Sequence, residues 1–341
     1  MIPDRSLDVL RAIVQDFISS NQPVGSKSLL DRHPLGVSAA TVRNDMALLE
    51  EEELITGLHT SSGRIPTEKG YRLFVDHLGE IKPLSSPERN AIESFLDEAS
   101  DLDDVVERTA RSLAQLTNAL ALVQYPSLGR SSVRHIELIP LSEKRVLLML
   151  IVDSGRIQQL QIESPDAIDE ELIHQLRGRL NGMLAGGQLA GVEEKLKGLT
   201  EEFSPERRGT VNKILDSLKS LVEANRQEKL VVSGAANLVK QDQDFSGELS
   251  KVLEAIEEQV VLLKLLDELH SDQFGVGLRI GSELGLANLT HTSLVVSGYE
   301  KSGTEVAKLG VLGPTRMDYS GNIASVRAVA RYLTKLLEGN S

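Results

Sequence analysis

The 341-residue chain contains no cysteine and no tryptophan. Without a thiol there is no disulfide framework, no thiolate metal site, no iron–sulfur cluster and no cysteine nucleophile, and the composition suits a reducing, cytoplasmic setting. Aromatic residues make up 3% of the chain, too few to build a stacking platform for single-stranded bases. Positive charge is not in excess either. The 37 Lys+Arg stand against 50 Asp+Glu, a formal net charge of −13 at pH 7, which speaks against coating a polyanion through bulk charge. Any contact with nucleic acid must be local. The opening Met1-Ile2-Pro3-Asp4-Arg5 has no basic region followed by an apolar one, and apolar runs such as Val146 to Val152 are too short to span a bilayer. The chain is expected to be neither secreted nor membrane-bound.

Enzymatic signatures are missing as well. The seven histidines, at 33, 59, 77, 135, 174, 270 and 291, are scattered and form no zinc pattern. There is no phosphate-binding Gly-x-x-x-x-Gly-Lys loop and no Gly-x-Ser-x-Gly elbow. Gly275, Gly277 and Gly281 are spaced Gly-x-Gly-x-x-x-Gly after a helical pattern, which suits a turn entering a strand better than a dinucleotide loop. Glu50 to Glu53 and Asp101, Asp103 and Asp104 read as solvated helix faces and termini. These absences point to a protein that is not an enzyme, with no cofactor and no metal.

At roughly 150 residues per domain the length suggests two to three domains. Ile81-Lys82-Pro83-Leu84-Ser85-Ser86-Pro87 breaks the helical patterning on both sides and reads as a linker. Upstream, Leu7, Leu10, Ile13, Val14, Phe17 and Ile18 form a helical stripe, ended by Gln22-Pro23-Val24-Gly25. Downstream, helical text from Ser86 runs to about Leu122. Strand text follows at Val133–Pro140, Arg145–Asp153 and Arg156–Glu163, with Asp153-Ser154-Gly155 as a tight turn. Residues 166–227 become helical, with leucine-rich stripes at 172–184 and 211–222 that suit either a dimer contact or an internal core. After a helix at Leu249–Leu269, strands return at Gly275–Ile280, Thr292–Tyr299 and Glu305–Leu312, before a closing helix with Val326, Val329 and Leu333. Strands, helices, strands and a helix in that order suggest one α+β domain with a helical insertion.

The N-terminal segment carries the chemistry. Short helices at Ser26–Arg32 and Ser38 to about Glu52, joined by a turn holding Pro34 and Gly36, follow a longer helix in a helix-turn-helix order. With Val42, Met46 and Leu49 turned inward, the second short helix presents Ser38, Ala39, Thr41, Arg43 and Asn44 at its outer N-terminal end. Small residues allow close approach, hydroxyls and helix N–H groups suit phosphates, and Arg and Asn make bidentate contacts to guanine and adenine edges. Leu54-Ile55-Thr56 and Arg64-Ile65-Pro66 then bracket a polar, glycine-bearing tip, read as a wing that offers His59, Ser61 and Arg64 to the duplex. Lys27, Lys69 and Arg72 complete the expected DNA-binding set. Residues 1–80 nevertheless hold eight Lys+Arg and twelve Asp+Glu, 8 − 12 = −4. Affinity for DNA is dominated by neutralised phosphates, so a single copy would bind weakly and two are needed.

Four blocks carry a resemblance: Pro23-Val24-Gly25-Ser26-Lys27, Ser38 to Met46, Gly63-Arg64-Ile65-Pro66-Thr67 with Gly70-Tyr71-Arg72, and Gly310 to Tyr319. Together they resemble the HrcA family of heat-inducible transcription repressors, and the similarity runs from end to end. The resemblance implies an α+β multidomain protein: a winged helix-turn-helix domain at 1–80, a linker at 81–87, and a GAF-like domain at 88–165 and 228–341. A mainly helical dimerisation domain would be inserted at 166–227. It also implies a homodimer that binds the inverted-repeat operator CIRCE on double-stranded DNA and represses chaperone and chaperonin operons. Heat would release it, and the GroEL chaperonin would maintain its active form. The alternative is a small-molecule-responsive transcription factor with its ligand in the GAF-like domain. The Gly310–Tyr319 block reads as a strand end and turn rather than a binding loop.

Overall fold

The computed structural model describes residues 2–339 apart from 58–62, 80, 98, 127–131, 154–156, 165, 227–228, 246, 273 and 302. Helices and sheets are mixed throughout, and the chain divides into two compact units, Met1–Gln124 with Leu230–Asn340, and Tyr125–Lys229.

Three helices open the first unit: α1 (Asp4–Ser20), α2 (Ser26–Arg32) and α3 (Ala39–Glu51). Val9, Leu10, Ile13 and Val14 of α1 recur at helical spacing and are fully buried, as are Val42 and Leu49 of α3, on which α1 packs. Two buried carboxylates pin this packing. Asp45 accepts bonds from Arg5 Nε at 2.9 Å and Nη2 at 3.1 Å, and from the buried Ser6 hydroxyl at 2.9 Å. Asp16 meets Arg32 at 3.2 Å and His33 Nε2 at 2.9 Å, tying the end of α2 to α1. Gly36, at φ +66°, supplies the left-handed residue that the turn into α3 needs.

The hydrogen bonds from Arg5, joined by that from Ser6, hold the Asp45 carboxyl below the ordinary carboxylate range against the opposing effect of burial. A folded pKa below the unfolded value of about 3.9 stabilises the fold above that pH, and the contribution is lost as pH falls through the folded value. Asp45→Ala also strips the buried Ser6 hydroxyl of its acceptor. We expect it to cost about 1–3 kcal/mol at neutral pH. The gap to wild type should narrow in acid, which paired denaturant titrations at neutral and acidic pH would check.

Strand β1 (Ile55–Gly57) pairs antiparallel with β2 (Arg64–Pro66), Thr56 opposite Ile65, and Val24 bridges to Arg64 on the other side. Helix α4 (Glu68–Asp76) follows, its Thr67 cap accepting from the Gly70 N–H at 3.1 Å. A Cβ at Gly70 would lie 2.0 Å from the Leu54 carbonyl oxygen, so glycine lets α4 close against the start of the ribbon. Next come α5 (Ser86–Asp97), α6 (Leu102–Thr117) and β3 (Leu120–Gln124). The helical text expected to reach Leu122 therefore stops at Thr117, where Asn118 takes a left-handed conformation. The apolar run after it is a strand buried at every residue.

The second unit consists of β4 (Val133–Ser142), β5 (Arg145–Val152), β6 (Ile157–Glu163), α7 (Glu170–Leu184), α8 (Val192–Lys195) and α9 (Arg208–Arg226). Its three strands form their own antiparallel sheet in the order β4-β5-β6. Val146, Leu148 and Leu150 of β5 share one core with Leu172, Leu176 and Leu180 of α7 and with Val211, Ile214 and Leu218 of α9. Two expectations change. The segment 166–227, expected as an insertion, lies in a compact unit that also holds the meander, whose strands pair among the described residues only with one another. The leucine stripes at 172–184 and 211–222 are internal core and are buried within this unit. The turn residues Ser154 and Gly155 lie outside the described residues.

The chain re-enters the first unit with β7 (Leu230–Ser233), α10 (Ala235–Lys240), α11 (Leu249–Glu257) and α12 (Gln259–Glu268). It ends with β8 (Gly277–Ile280), β9 (Thr292–Lys301), β10 (Thr304–Pro314) and α13 (Tyr319–Gly339). Five antiparallel strands order as β7-β3-β10-β9-β8. Leu122, Leu294, Val296 and Leu312 of this sheet share a core with Val252 of α11 and with Leu262 and Leu266 of α12, while α6 and α13 also contact the sheet. Gly310 sits where a Cβ would lie 2.4 Å from the Val295 carbonyl oxygen. Beyond Pro314 the Asp318 carboxylate accepts from the Gly321 N–H at 3.0 Å and caps α13, so the block at 310–319 forms a strand end and a helix start.

Candidate nucleic-acid interface

The N-terminal end of α3 is an exposed polar surface on a helix that packs against α1 and α2. Ser38 caps it, accepting from the Thr41 N–H at 3.2 Å, and the two hydroxyls meet at 2.9 Å. Ser38, Arg43 and Asn44 are exposed, Ala39 and Thr41 half-buried, while Val42 on the opposite side is fully enclosed. Arg43 Nε donates to the Ala39 carbonyl of its own helix at 3.2 Å and makes no ion pair among the described residues, so its other donors face solvent. Lys27 is exposed in the first turn of α2. The backbone N–H groups and the positive end of the α3 dipole lie at the Ser38 end of that helix.

The ribbon and α4 place the remaining expected residues differently. His59 and Ser61 lie outside the described residues. Arg64 lies over Gly57 with its guanidinium on Glu50, at 3.0 Å from Nε and 2.9 Å from Nη2. Lys69 Nζ donates to the Glu52 carbonyl at 2.7 Å and is otherwise exposed. Arg72, also in the expected set, is paired within the chain. Its Nε donates to Glu283 at 2.8 Å, Nη2 donates to the same carboxylate, and Nη2 also reaches the Leu278 carbonyl at 3.0 Å. A phosphate would have to displace that paired carboxylate.

Arg72 instead belongs to a set of contacts that sequence reasoning missed. Glu68 accepts from the Ser282 N–H at 3.0 Å and its hydroxyl at 2.6 Å, and Tyr71 stacks at a tilt on Tyr319 with centroids 5.8 Å apart. Arg316 grips the buried Asp244 carboxylate with two bonds of 2.8 Å while Nη1 donates to the Ile18 carbonyl at 2.5 Å. These contacts join α1 and α4 to the five-stranded body. Apart from the Arg316–Asp244 pair, 72 residues apart, they cross more than 200 residues of sequence, so no local pattern signals them; Arg316 stands out in the sequence only as part of the 310–319 block.

Among the described residues no group of three or more His, Asp or Glu is placed to hold a metal ion, and no helix is long and apolar enough to cross a membrane. The family model described as the HrcA protein C terminal domain matches residues 103–323. A heat-inducible transcription repressor HrcA of Clavibacter michiganensis subsp. michiganensis is 56% identical over 338 residues, covering 99% of each chain. That of Leifsonia xyli subsp. xyli is 56% identical over 337 residues with the same coverage. Among solved structures, the crystal structure of a hypothetical protein matches with a TM-score of 0.69 at 23% identity over 100% of both chains, a likeness of fold alone. With the family model on most of the chain and such relatives on nearly all of it, this chain belongs to the HrcA family of heat-inducible transcription repressors.

Proposed function

We propose that this transcription repressor binds double-stranded DNA as a homodimer on the inverted-repeat operator CIRCE, and that occupancy blocks transcription of chaperone and chaperonin operons. The observation that carries this reading is the exposed start of α3, where Arg43 and Asn44 stand beside the Ser38 cap. In it, α2 and α3 are a helix-turn-helix, α3 enters the major groove, and β1 and β2 are a wing. Arg43 and Asn44 read base edges, while Lys27, Ser38 and Thr41 take phosphates and Ala39 allows close approach. Arg64 and Lys69 are read as further duplex contacts, as are His59 and Ser61, which lie outside the described residues. The five-stranded body is read as the GAF-like domain and residues 125–229 as the dimerising insertion.

The dimer contact falls on the outer face of the β4-β5-β6 sheet. Most of the inner face of β4 and β5 fills the core, and the outer face mixes polar residues (His135, Glu137, Gln159, Gln161) with an apolar group: Leu147, Met149 and Ile151 on β5, with Ile139 opposite Leu147 and Ile157 opposite Ile151. Ile139 and Ile157 are 39% and 54% exposed. Large apolar side chains gathered on one face mark an association surface, and a second copy satisfies the two-fold symmetry that an inverted repeat requires.

In this reading the repressor acts in the cytoplasm, heat depopulates the DNA-competent form, and GroEL restores it, as expected of a marginally stable dimer coupled to folding. Operator affinity measured across a temperature ramp, with and without chaperonin, tests this. Affinity should fall steeply over a narrow range and be recovered with chaperonin. A flat temperature profile would remove heat as the signal.

A further inference from the structure

A groove of 590 Å³ lies in the first unit between α13, α5 and the segment joining α4 to α5. Sites for small organic ligands typically hold about 300–1,000 Å³. The two walls of this one differ in chemistry. Ile81 and Leu84 of the joining segment, Ile92 of α5 and Phe274 before β8 make an apolar wall. Arg327, Arg331 and Lys335 make the other, recurring at every fourth residue of α13 and so rising along one side of it at steps of about 6 Å. Arg89 of α5 also lines the groove, and the one carboxylate residue among its lining is Glu93. Among the described residues the side chains of Arg327, Arg331 and Lys335 have no hydrogen bond or ion pair.

Like charges four residues apart on a helix repel one another, and in a chain of net charge −13 there is no shortage of carboxylates that could have been placed to neutralise them. The row is left open beside an apolar wall. A neutral apolar ligand would ignore the cations, and inorganic phosphate would leave the apolar wall wet. A phosphate head carries about 1.5–2 negative charges and several acceptor oxygens, and guanidinium groups bind it in paired hydrogen bonds.

We infer that the groove between α5 and α13 binds a phosphorylated amphiphile. Its phosphate or diphosphate head lies on Arg327, Arg331 and Lys335, and its apolar body lies on Ile81, Leu84, Ile92 and Phe274. Because Ile81 and Leu84 belong to the segment that leads out of α4, the occupant touches the connection to the DNA-reading helices as well as the body.

Calorimetric titration of the full chain with monomeric dodecyl phosphate tests the inference, with dodecanol and inorganic phosphate as partial ligands. Dodecyl phosphate should bind saturably at one site per chain. Each partial ligand should bind about tenfold or more weakly, as should dodecyl phosphate to the double variant Arg331→Gln, Lys335→Gln. Both side chains are exposed, so the variant should melt as wild type does. Three outcomes would overturn the site: equal binding by wild type and variant, no saturable binding, or a preference for phosphatidate vesicles over the free amphiphile. If in the first case the variant also lost operator DNA, the row would be a contact to the DNA backbone.

Discussion

Replacing Arg43 by alanine should weaken binding to an inverted-repeat operator by about 2–6 kcal/mol, because a bidentate base contact is worth about 1–3 kcal/mol and a dimer loses two. The corresponding loss is roughly thirtyfold to twenty-thousandfold at fixed salt. Arg43 is exposed, and its hydrogen bond is to the carbonyl of Ala39 in its own helix, so the fold should survive the change. Discrimination between the operator and a variant altered at the contacted base pair should shrink along with affinity. Lys27→Ala provides the contrast. A lysine on a phosphate carries no sequence information, so that variant should bind all sequences more weakly and lower the salt dependence by about one counterion per site. If Arg43→Ala left operator binding intact, α3 would not be the reading helix.

The second large effect lies far from α3 in the sequence. Placing aspartate at both Ile139 and Ile157 puts charges on the outer face of the three-stranded sheet. Both side chains are substantially exposed, and neither belongs to the core shared by β5, α7 and α9. The unit should therefore stay folded while the association fails. Sedimentation should show a monomer, and operator affinity should fall by about a hundredfold or more, since each reading helix then binds without the effective concentration that its partner supplies. A double variant that remained dimeric would move the contact elsewhere.

The opening helices are legible because their signals are local. Ser38 caps α3, Pro34 and Gly36 mark the turn before it, and the buried stripes recur at helical spacing. Lys27, Ser38, Arg43 and Asn44 can be placed on an outer surface from that spacing alone. What fails depends on distant residues. Leu120–Gln124 is a continuous apolar run, and periodicity cannot tell a short buried strand from the end of a buried helix. The apolar run Arg145–Val152 announces a strand without naming which sheet receives it, so the strand order alone does not assign the meander to a unit. The stripes on α7 and α9 look available for a partner, but they fill a core with β4, β5 and β6. Arg72 has the right charge and lies near the ribbon, yet Glu283 stands 211 residues away in sequence and holds it.

The net charge of −13 acquires a position through these contacts. Glu50 holds Arg64, and Glu283 holds Arg72, which reduces the cations free to meet phosphate. In the proposed reading, binding then comes from a few specific contacts made twice. The direct test is a titration of the dimer, at one fixed salt concentration, against an inverted-repeat operator and against the same duplex with one half-site scrambled. Two-fold reading by α3 predicts that scrambling costs about a hundredfold or more. Equal affinity for the two duplexes would contradict it.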